Sequence, residues 1–346
     1  MSDLRSTAAV LKNSLRIEPA HYERNLPREQ ARELFRRHVE LIEVETTSYC
    51  NRTCSFCPNA FIDRRSQKIA MPEQVWLTIV GDLAELDYDG TMVWSRYSEP
   101  LSEERIVERI RDVRAAAPRA RLAINSNGDY LDPDYLRRIG EAGLDRLWVD
   151  VYMPDEEAYE EPRVRAHLDR FLKRIGRSAK VVRVLPELTA DVLDAGLEMT
   201  VHVRNFTAMK RMDMSDRGGL LAEARRTIRV APCYAPFKHL VVDWDGSVVV
   251  CCQLRSDAPK HAHAVVARLG EAGTGLVEAY VALADWRRSL RGFGPKAAPC
   301  ASCNVSEYSA SIGNRILGAL LADEAMPGFR VLKRSVGSLI PKVGRP

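Results

Sequence analysis

The stretch TTSYCNRTCSFCPN, residues 46–59, sets Cys50, Cys54 and Cys57 on one loop in the spacing C-x3-C-x2-C. Thiolates so close together are soft metal ligands, yet a closed structural zinc site needs four donors. The run just before the loop, ELIEVETTS (40–48), reads as a strand. In sheets and barrels of parallel strands, ligands gather at the carboxyl ends of the strands, so the triad is expected to face a cavity. Three thiolates can hold three irons of a [4Fe-4S] cluster and leave the fourth iron open to a small molecule. A zinc knuckle lacking its last ligand is the alternative.

Outward from the loop, strand and helix patterns alternate. Ala31, Leu34, Phe35 and Val39 share one face of a helix before the first strand. A second helix starts near Pro72 and buries Val75, Ile79, Leu83 and Leu86, followed by the strand TMVWS (91–95). Ile106, Ile110, Val113 and Ala117 mark a third helix, before the strand RLAIN (121–125) and the turn Ser126-Asn127-Gly128. A helix over about 133–142 precedes RLWVDVY (146–152), and KVVRVL (180–185) and MTVHVR (199–204) supply two further strands. Such alternation means crossover units and a parallel sheet, here an α/β fold forming a partial (β/α)6 barrel of about six strands.

The chain has 346 residues, 46% of them apolar, which suits two domains or one large domain with an appendage. Its net charge of +4 is spread over 51 basic and 47 acidic residues, so no strong field points to nucleic acid or membrane. Asp3, Arg5, Lys12, Arg16 and Glu18 leave no room for the apolar core of a signal peptide. No apolar run of about 18 residues exists to span a bilayer. A cytoplasmic enzyme is expected, in a reducing compartment where eight cysteines serve as ligands rather than disulfides.

The remaining cysteines, Cys233, Cys251, Cys252, Cys300 and Cys303, form a second group. HLVV-DWDG-SVVVCC (239–252) reads as a hairpin around an Asp/Gly turn, and a helical linker over about 276–291 leads to Cys300-x2-Cys303. The basic tail RVLKRSVGSLIPKVGRP (330–346) carries no evident chemistry.

The first loop, with Phe56 before its last cysteine, resembles the signature of the radical S-adenosylmethionine (SAM) superfamily, in which the open iron is chelated by the amino and carboxylate groups of SAM. Tyr97-Ser98-Glu99-Pro100 resembles that family's G-E-P motif at the end of the second strand, with Ser98 in place of glycine, and Asn125-Ser126-Asn127-Gly128 follows the third strand. The resemblance implies that Phe56, Ser98, Glu99, Asn125 and Asn127 contact SAM, with Glu99 accepting from the methionine ammonium. Cys233-x17-Cys251, with Gly246-x4-Cys251 inside it, and Cys300-x2-Cys303 are similar to the C-terminal twitch or SPASM extension. Four thiolates there imply one auxiliary [4Fe-4S] cluster, a tetrahedral zinc site being the alternative. The resemblance covers roughly residues 40–305. It implies an N-terminal helical extension (1–39), a partial barrel (40–229), an auxiliary-cluster domain of hairpin and helix (230–310) and a tail (311–346).

The implied chemistry is one-electron cleavage of SAM by the reduced first cluster, giving a 5′-deoxyadenosyl radical that takes hydrogen from a C–H bond. The implied partners are a small polar substrate, a sugar or aminocyclitol, and a reductant such as flavodoxin or ferredoxin. If the auxiliary cluster takes a second electron, an alcohol becomes a ketone, as in aminocyclitol dehydrogenases. If a thiol returns hydrogen from the opposite face, the product is an epimer. Peptide modification is a third outcome; residues 1–39 are short for the leader-binding domain that often accompanies it. Arg217, in Ser215-Asp216-Arg217-Gly218-Gly219, is the best substrate-facing candidate, ahead of Arg96, Tyr97 and Tyr152. His261 and His263 read as loop residues. Strand neighbours point to opposite faces, so with Cys251 on the auxiliary cluster, Cys252 is expected to point away as a free thiol and candidate hydrogen donor.

Overall fold

The computed structural model describes residues 10–193, 196–207, 215–221, 228–303, 305 and 313–314. The tail at 330–346 lies outside the described residues. The barrel half runs α1 (Arg28–His38), β1 (Leu41–Val44), α2 (Glu73–Glu85), β2 (Thr91–Trp94), α3 (Ile106–Ala116), β3 (Arg121–Ser126), α4 (Pro133–Glu141), β4 (Arg146–Tyr152), α5 (Glu161–Ile175), β5 (Ala179–Arg183), β6 (Leu188–Val192) and β7 (Glu198–Arg204). The rest comprises α6 (Ala235–Lys238), β8 (His239–Val242), β9 (Ser247–Val249), β10 (Val265–Arg268), α7 (Leu276–Ala282) and α8 (Ala284–Leu290). The ten strands among the described residues form one sheet, in the order β10-β9-β8-β1-β2-β3-β4-β7-β6-β5.

Six neighbouring strands, β8, β1, β2, β3, β4 and β7, run parallel. The expected number is therefore present, but its membership differs in two places. The segment expected as a crossover strand at 180–185 is β5, which pairs antiparallel with β6 at the sheet edge. Residues 184–187 are too few for a parallel crossover, which needs a dozen or more, and the apolar Val182 and Leu185 are left exposed. The sixth parallel strand is β8, the first arm of the expected hairpin, registered beside β1 from Leu41↔His239 to Val44↔Val242. The hairpin itself forms, β8 pairing antiparallel with β9. Helix α5 went unanticipated although Val164, Leu168, Phe171 and Ile175 share one buried face and Gly176, at φ 63°, closes it.

Side-chain alternation positions the site. Ile42, Val44, Met92, Trp94, Leu122, Ile124, Leu147, Val149, Val201 and Val203 are buried in one core with helix residues such as Phe35, Trp76, Ile79 and Leu136. The intervening residues Glu43, Ser95, Asn125, Asp150, Tyr152 and Arg204 line a cavity on the other face. Helix starts are set locally: Asp132 accepts from the Tyr135 amide at 2.7 Å, with Pro133 in the first turn of α4.

The β8–β9 turn closes through Asp243 and Gly246, whose φ is +83°. A Cβ on Gly246 would meet the Val75 side chain of α2 at 3.0 Å. Gly246→Ala is therefore expected to lower stability by about 1–2 kcal/mol, the cost of left-handed backbone for an L-residue. Urea titration measures it, and an unchanged midpoint would show that the turn relaxes freely.

Candidate active site

The loop after β1 carries its three cysteines into the cavity, where Cys50, Cys54 and Cys57 share a wall with Phe56 and Asn59. Backbone bonds hold the loop: the Cys50 amide donates to Arg64 O at 3.0 Å and the Cys57 amide to Cys54 O at 3.0 Å. Burial, then repulsion from Cys57 and Cys50, pushes the Cys54 thiol up to about 12. Burial likewise pushes Cys50 up to about 11. Three half-buried thiols, two of them, Cys50 and Cys54, opposed in ionising by their neighbours in the triad, suit a cationic group bound between them. Three cysteines of one loop on one cavity wall are the donor set of a cluster that keeps one iron open.

The cavity, of about 260 Å³, also takes Ser98, Glu99, Asn125 and Asn127. Glu99 is buried, and Oε1 accepts from the Leu101 amide at 3.0 Å and the Ser126 hydroxyl at 2.7 Å. Its Oε2 accepts from the Asn127 amide at 2.8 Å. Desolvation still pushes the Glu99 carboxyl up to about 7. The Ser98 amide is committed to Glu45 at 2.8 Å, while its buried hydroxyl has no partner among the described residues. Asn125 donates to the Ser95 hydroxyl at 3.0 Å, and Asn127 donates to Asn51 at 2.8 Å. Phe56 packs on Tyr152 and Phe206, ring centroids 5.1 and 4.3 Å apart. Arg52 pairs with Asp129 through two 2.6 Å bonds, locking the cysteine loop to the end of β3.

The substrate-facing candidates divide. Arg217 lines the cavity, with Nη1 3.4 Å from Gln253 Oε1. Arg96 and Tyr97 also touch it, but their polar ends are spent elsewhere: Arg96 bonds Asp243 and the Leu254 carbonyl, and the Tyr97 hydroxyl donates to Gln253 O at 2.9 Å. They are clamps between the two halves of the chain. The Tyr152 hydroxyl donates to Asp150 at 3.2 Å, and Asp150 pairs with Arg204 at 3.0 Å. His261 is buried, accepting from the Arg255 amide at 3.2 Å and facing Gly218 O at 3.0 Å. His263 Nε2 lies 3.1 Å from Ala298 O.

In the second group, burial and then Cys233 and Cys303 push Cys300 up to about 12. Burial, Cys252, Cys300 and Cys233 all raise Cys251. Arg229 sits among them, Nη1 3.5 Å from Cys303 Sγ, and its charge offsets thiolates. Cys252 instead lines the main cavity, near Glu43, Arg96 and Arg217. The opposed directions of the two cysteines arise in the turn after β9 rather than within a strand.

Residues 44–202 match the radical SAM superfamily, and residues 233–314 match the SPASM iron–sulfur cluster-binding domain. The chain carries a radical SAM domain and a SPASM domain. Over 109 residues it is 34% identical to an S-adenosyl-L-methionine-dependent 2-deoxy-scyllo-inosamine dehydrogenase of Niallia circulans, covering 32% of this chain and 43% of that protein. Over 151 residues it is 25% identical to a GTP 3′,8-cyclase of Alkaliphilus oremlandii (strain OhILAs), covering 43% of this chain and 46% of that one. The matches thus span under half the length of either curated relative. The crystal structure of BtrN in complex with AdoMet and 2-DOIA superimposes with a TM-score of 0.53 at 22% identity, covering 80% of this chain and 96% of that one, and supports the fold.

The radical SAM motifs and cysteine groups were visible in the sequence, whereas Glu43, Glu45, Arg64, Asp150, Arg204 and Arg229 were not singled out. Strand parity would have found the cavity-lining Glu43 and Asp150, and Arg229 stands four residues before Cys233.

Anaerobically reconstituted protein should hold about eight irons per chain, and changing Cys50, Cys54 and Cys57 to Ala should leave about four and abolish SAM cleavage. An unchanged iron count would sink the assignment. Glu99→Gln should keep its iron yet bind SAM about 1–3 kcal/mol more weakly in equilibrium dialysis, since an amide NH2 replaces one acceptor and the charge is lost. Unaltered affinity would remove Glu99 from the SAM site.

Proposed function

We propose that this chain is a SAM-dependent dehydrogenase that oxidises a secondary alcohol of a small aminocyclitol to a ketone. The observation that carries the reading is the Cys251–Cys252 pair: one residue lines the main cavity and its neighbour belongs to the second thiol group. An electron leaving the cavity thus has a short path to the auxiliary site. The dehydrogenase of Niallia circulans points to the same chemistry, and a cavity of about 260 Å³ favours a small molecule over a peptide.

When bound, SAM and the three-cysteine cluster supply a 5′-deoxyadenosyl radical that removes a hydrogen atom, and the second cluster accepts one electron. Cys50, Cys54 and Cys57 hold the first cluster; Cys233, Cys251, Cys300 and Cys303 hold the second. Glu99 retains accepting capacity on Oε2 for the methionine ammonium. Phe56, Tyr152 and Phe206 form an apolar wall that keeps water from the reacting carbon. Asp150 with Arg204, and Arg217, also in the cavity wall, offer an acceptor for an ammonium and donors for hydroxyls. A flavodoxin or ferredoxin supplies the electrons. Among the described residues no helix is long and apolar enough to cross a membrane, which agrees with work in the cytoplasm.

Epimerisation is the second reading, favoured by the Cys252 thiol in the cavity wall. The two separate cleanly in D2O. With 2-deoxy-scyllo-inosamine, SAM and a reductant, we expect a ketone, with no solvent deuterium fixed at the reacting carbon, and full turnover by Cys252→Ala. An inverted alcohol carrying one deuterium, lost in that variant, would establish the epimerase instead.

A further inference from the structure

Glu43 occupies the middle of β1 with its side chain turned to the cavity. Its hydrogen-bond partner is Ser95, and among the described residues it enters no ion pair. The groups that face it come from four elements. Arg96, after β2, is already committed to Asp243 and the Leu254 carbonyl. Arg217, ahead of the extension, has Nη1 3.4 Å from Gln253 Oε1 and lies over the Tyr97 ring. Glu45, just past the end of the same strand, repels it, and the Cys252 thiol faces it from the turn after β9. Burial outweighs both arginines and holds the Glu43 carboxyl above the usual carboxylate range.

An alcohol needs one acceptor for its hydrogen and one donor for its oxygen. Glu43 and Arg217, both in the cavity wall, supply that pair; Asp150 already pairs with Arg204, and the accepting capacity that Glu99 has left is assigned to SAM. Glu43 also lies beside Cys252, one residue from the second thiol group. A proton taken there leaves on the same side as the electron, so charge does not build up on the substrate.

We propose that Glu43 is the catalytic base, accepting the hydroxyl proton from the carbon being oxidised, with Arg217 donating to the same oxygen. This rests on the oxidation reading above. The C–H bond breaks homolytically, its hydrogen atom passing to the deoxyadenosyl carbon. The O–H bond then breaks heterolytically, its proton passing to Glu43. Of the three electrons left, two form the C=O π bond and one leaves to an iron–sulfur cluster, the one-electron oxidant.

The test uses holoenzyme with 2-deoxy-scyllo-inosamine deuterated at the oxidised carbon. Glu43→Gln, close to isosteric and still a hydrogen-bond acceptor, should bind substrate within about threefold of wild type by calorimetry and still form deuterated 5′-deoxyadenosine, while ketone formation falls by about 100-fold or more. Because only the carboxylate accepts a proton, wild-type ketone formation should decline as pH falls through the Glu43 pKa; the residual rate of Glu43→Gln should not, and Glu43→Asp should recover part of the rate. Wild-type ketone rates in Glu43→Gln, or loss of substrate affinity in step with ketone, would overturn the base with the oxidation reading intact. A wild type that makes no ketone would overturn both.

Discussion

The carboxylate of Glu45 is the joint on which the site turns. It is buried at the end of β1, where Oε1 accepts the amides of Tyr97 and Ser98 at 2.7 and 2.8 Å. Its Oε2 faces the guanidinium of Arg64 at 3.4 Å, and Arg64 continues to Ser48 O and, at 2.9 Å, to Asp257. One buried anion thereby fixes the loop after β2, the cysteine loop and a turn of the extension against one another. Removing one member of such a buried network strands the other charge, at a typical cost of about 3–5 kcal/mol. Its geometry is consequently far stiffer than loops of this length would otherwise be.

Positive charge is concentrated around this joint. The ring of Tyr97 carries the guanidiniums of Arg96, Arg217 and Arg255 at 5.4, 5.7 and 4.7 Å. Arg255 is fully buried, pairs with Asp257 at 2.5 and 2.7 Å, and reaches Asn59, two residues past Cys57. Four thiolates on one cluster, or three with a bound carboxylate, are net anionic, and buried anions need compensation. Arg255 and Arg217 lower the Cys57 thiol pKa against burial, as Arg229 does for Cys300. The arginines answer a demand set by the cysteines.

What could be read from the sequence divides along a physical line. The cysteine loop, the Tyr97–Pro100 turn, the Asn125–Gly128 turn and the hairpin over 239–252 are local patterns, each specified by residues a few positions apart. Strands β1 to β4 and helices α1 to α4 were legible for the same reason, through periodicity. Helix α5 obeyed that periodicity and was overlooked among its many charges. The pairs Glu45–Arg64, Arg96–Asp243 and Arg64–Asp257 join positions far apart in the chain, and no local pattern announces which arginine meets which carboxylate. For β5 the apolar run specifies a strand, but its direction depends on the few residues that follow it.

The placement of β8 bears on how such a protein can be taken apart or rebuilt. The strand that begins the extension supplies hydrogen-bond partners along one whole edge of β1, so the two matched domains are interleaved rather than strung in series. A version of this chain ended before Ala235 would bare that edge directly beneath the cysteine loop, inviting another strand to take its place. Exchanging the extension for one from a different enzyme means exchanging a piece of the barrel wall with it. The seam between the halves runs inside the sheet, between its third and fourth strands.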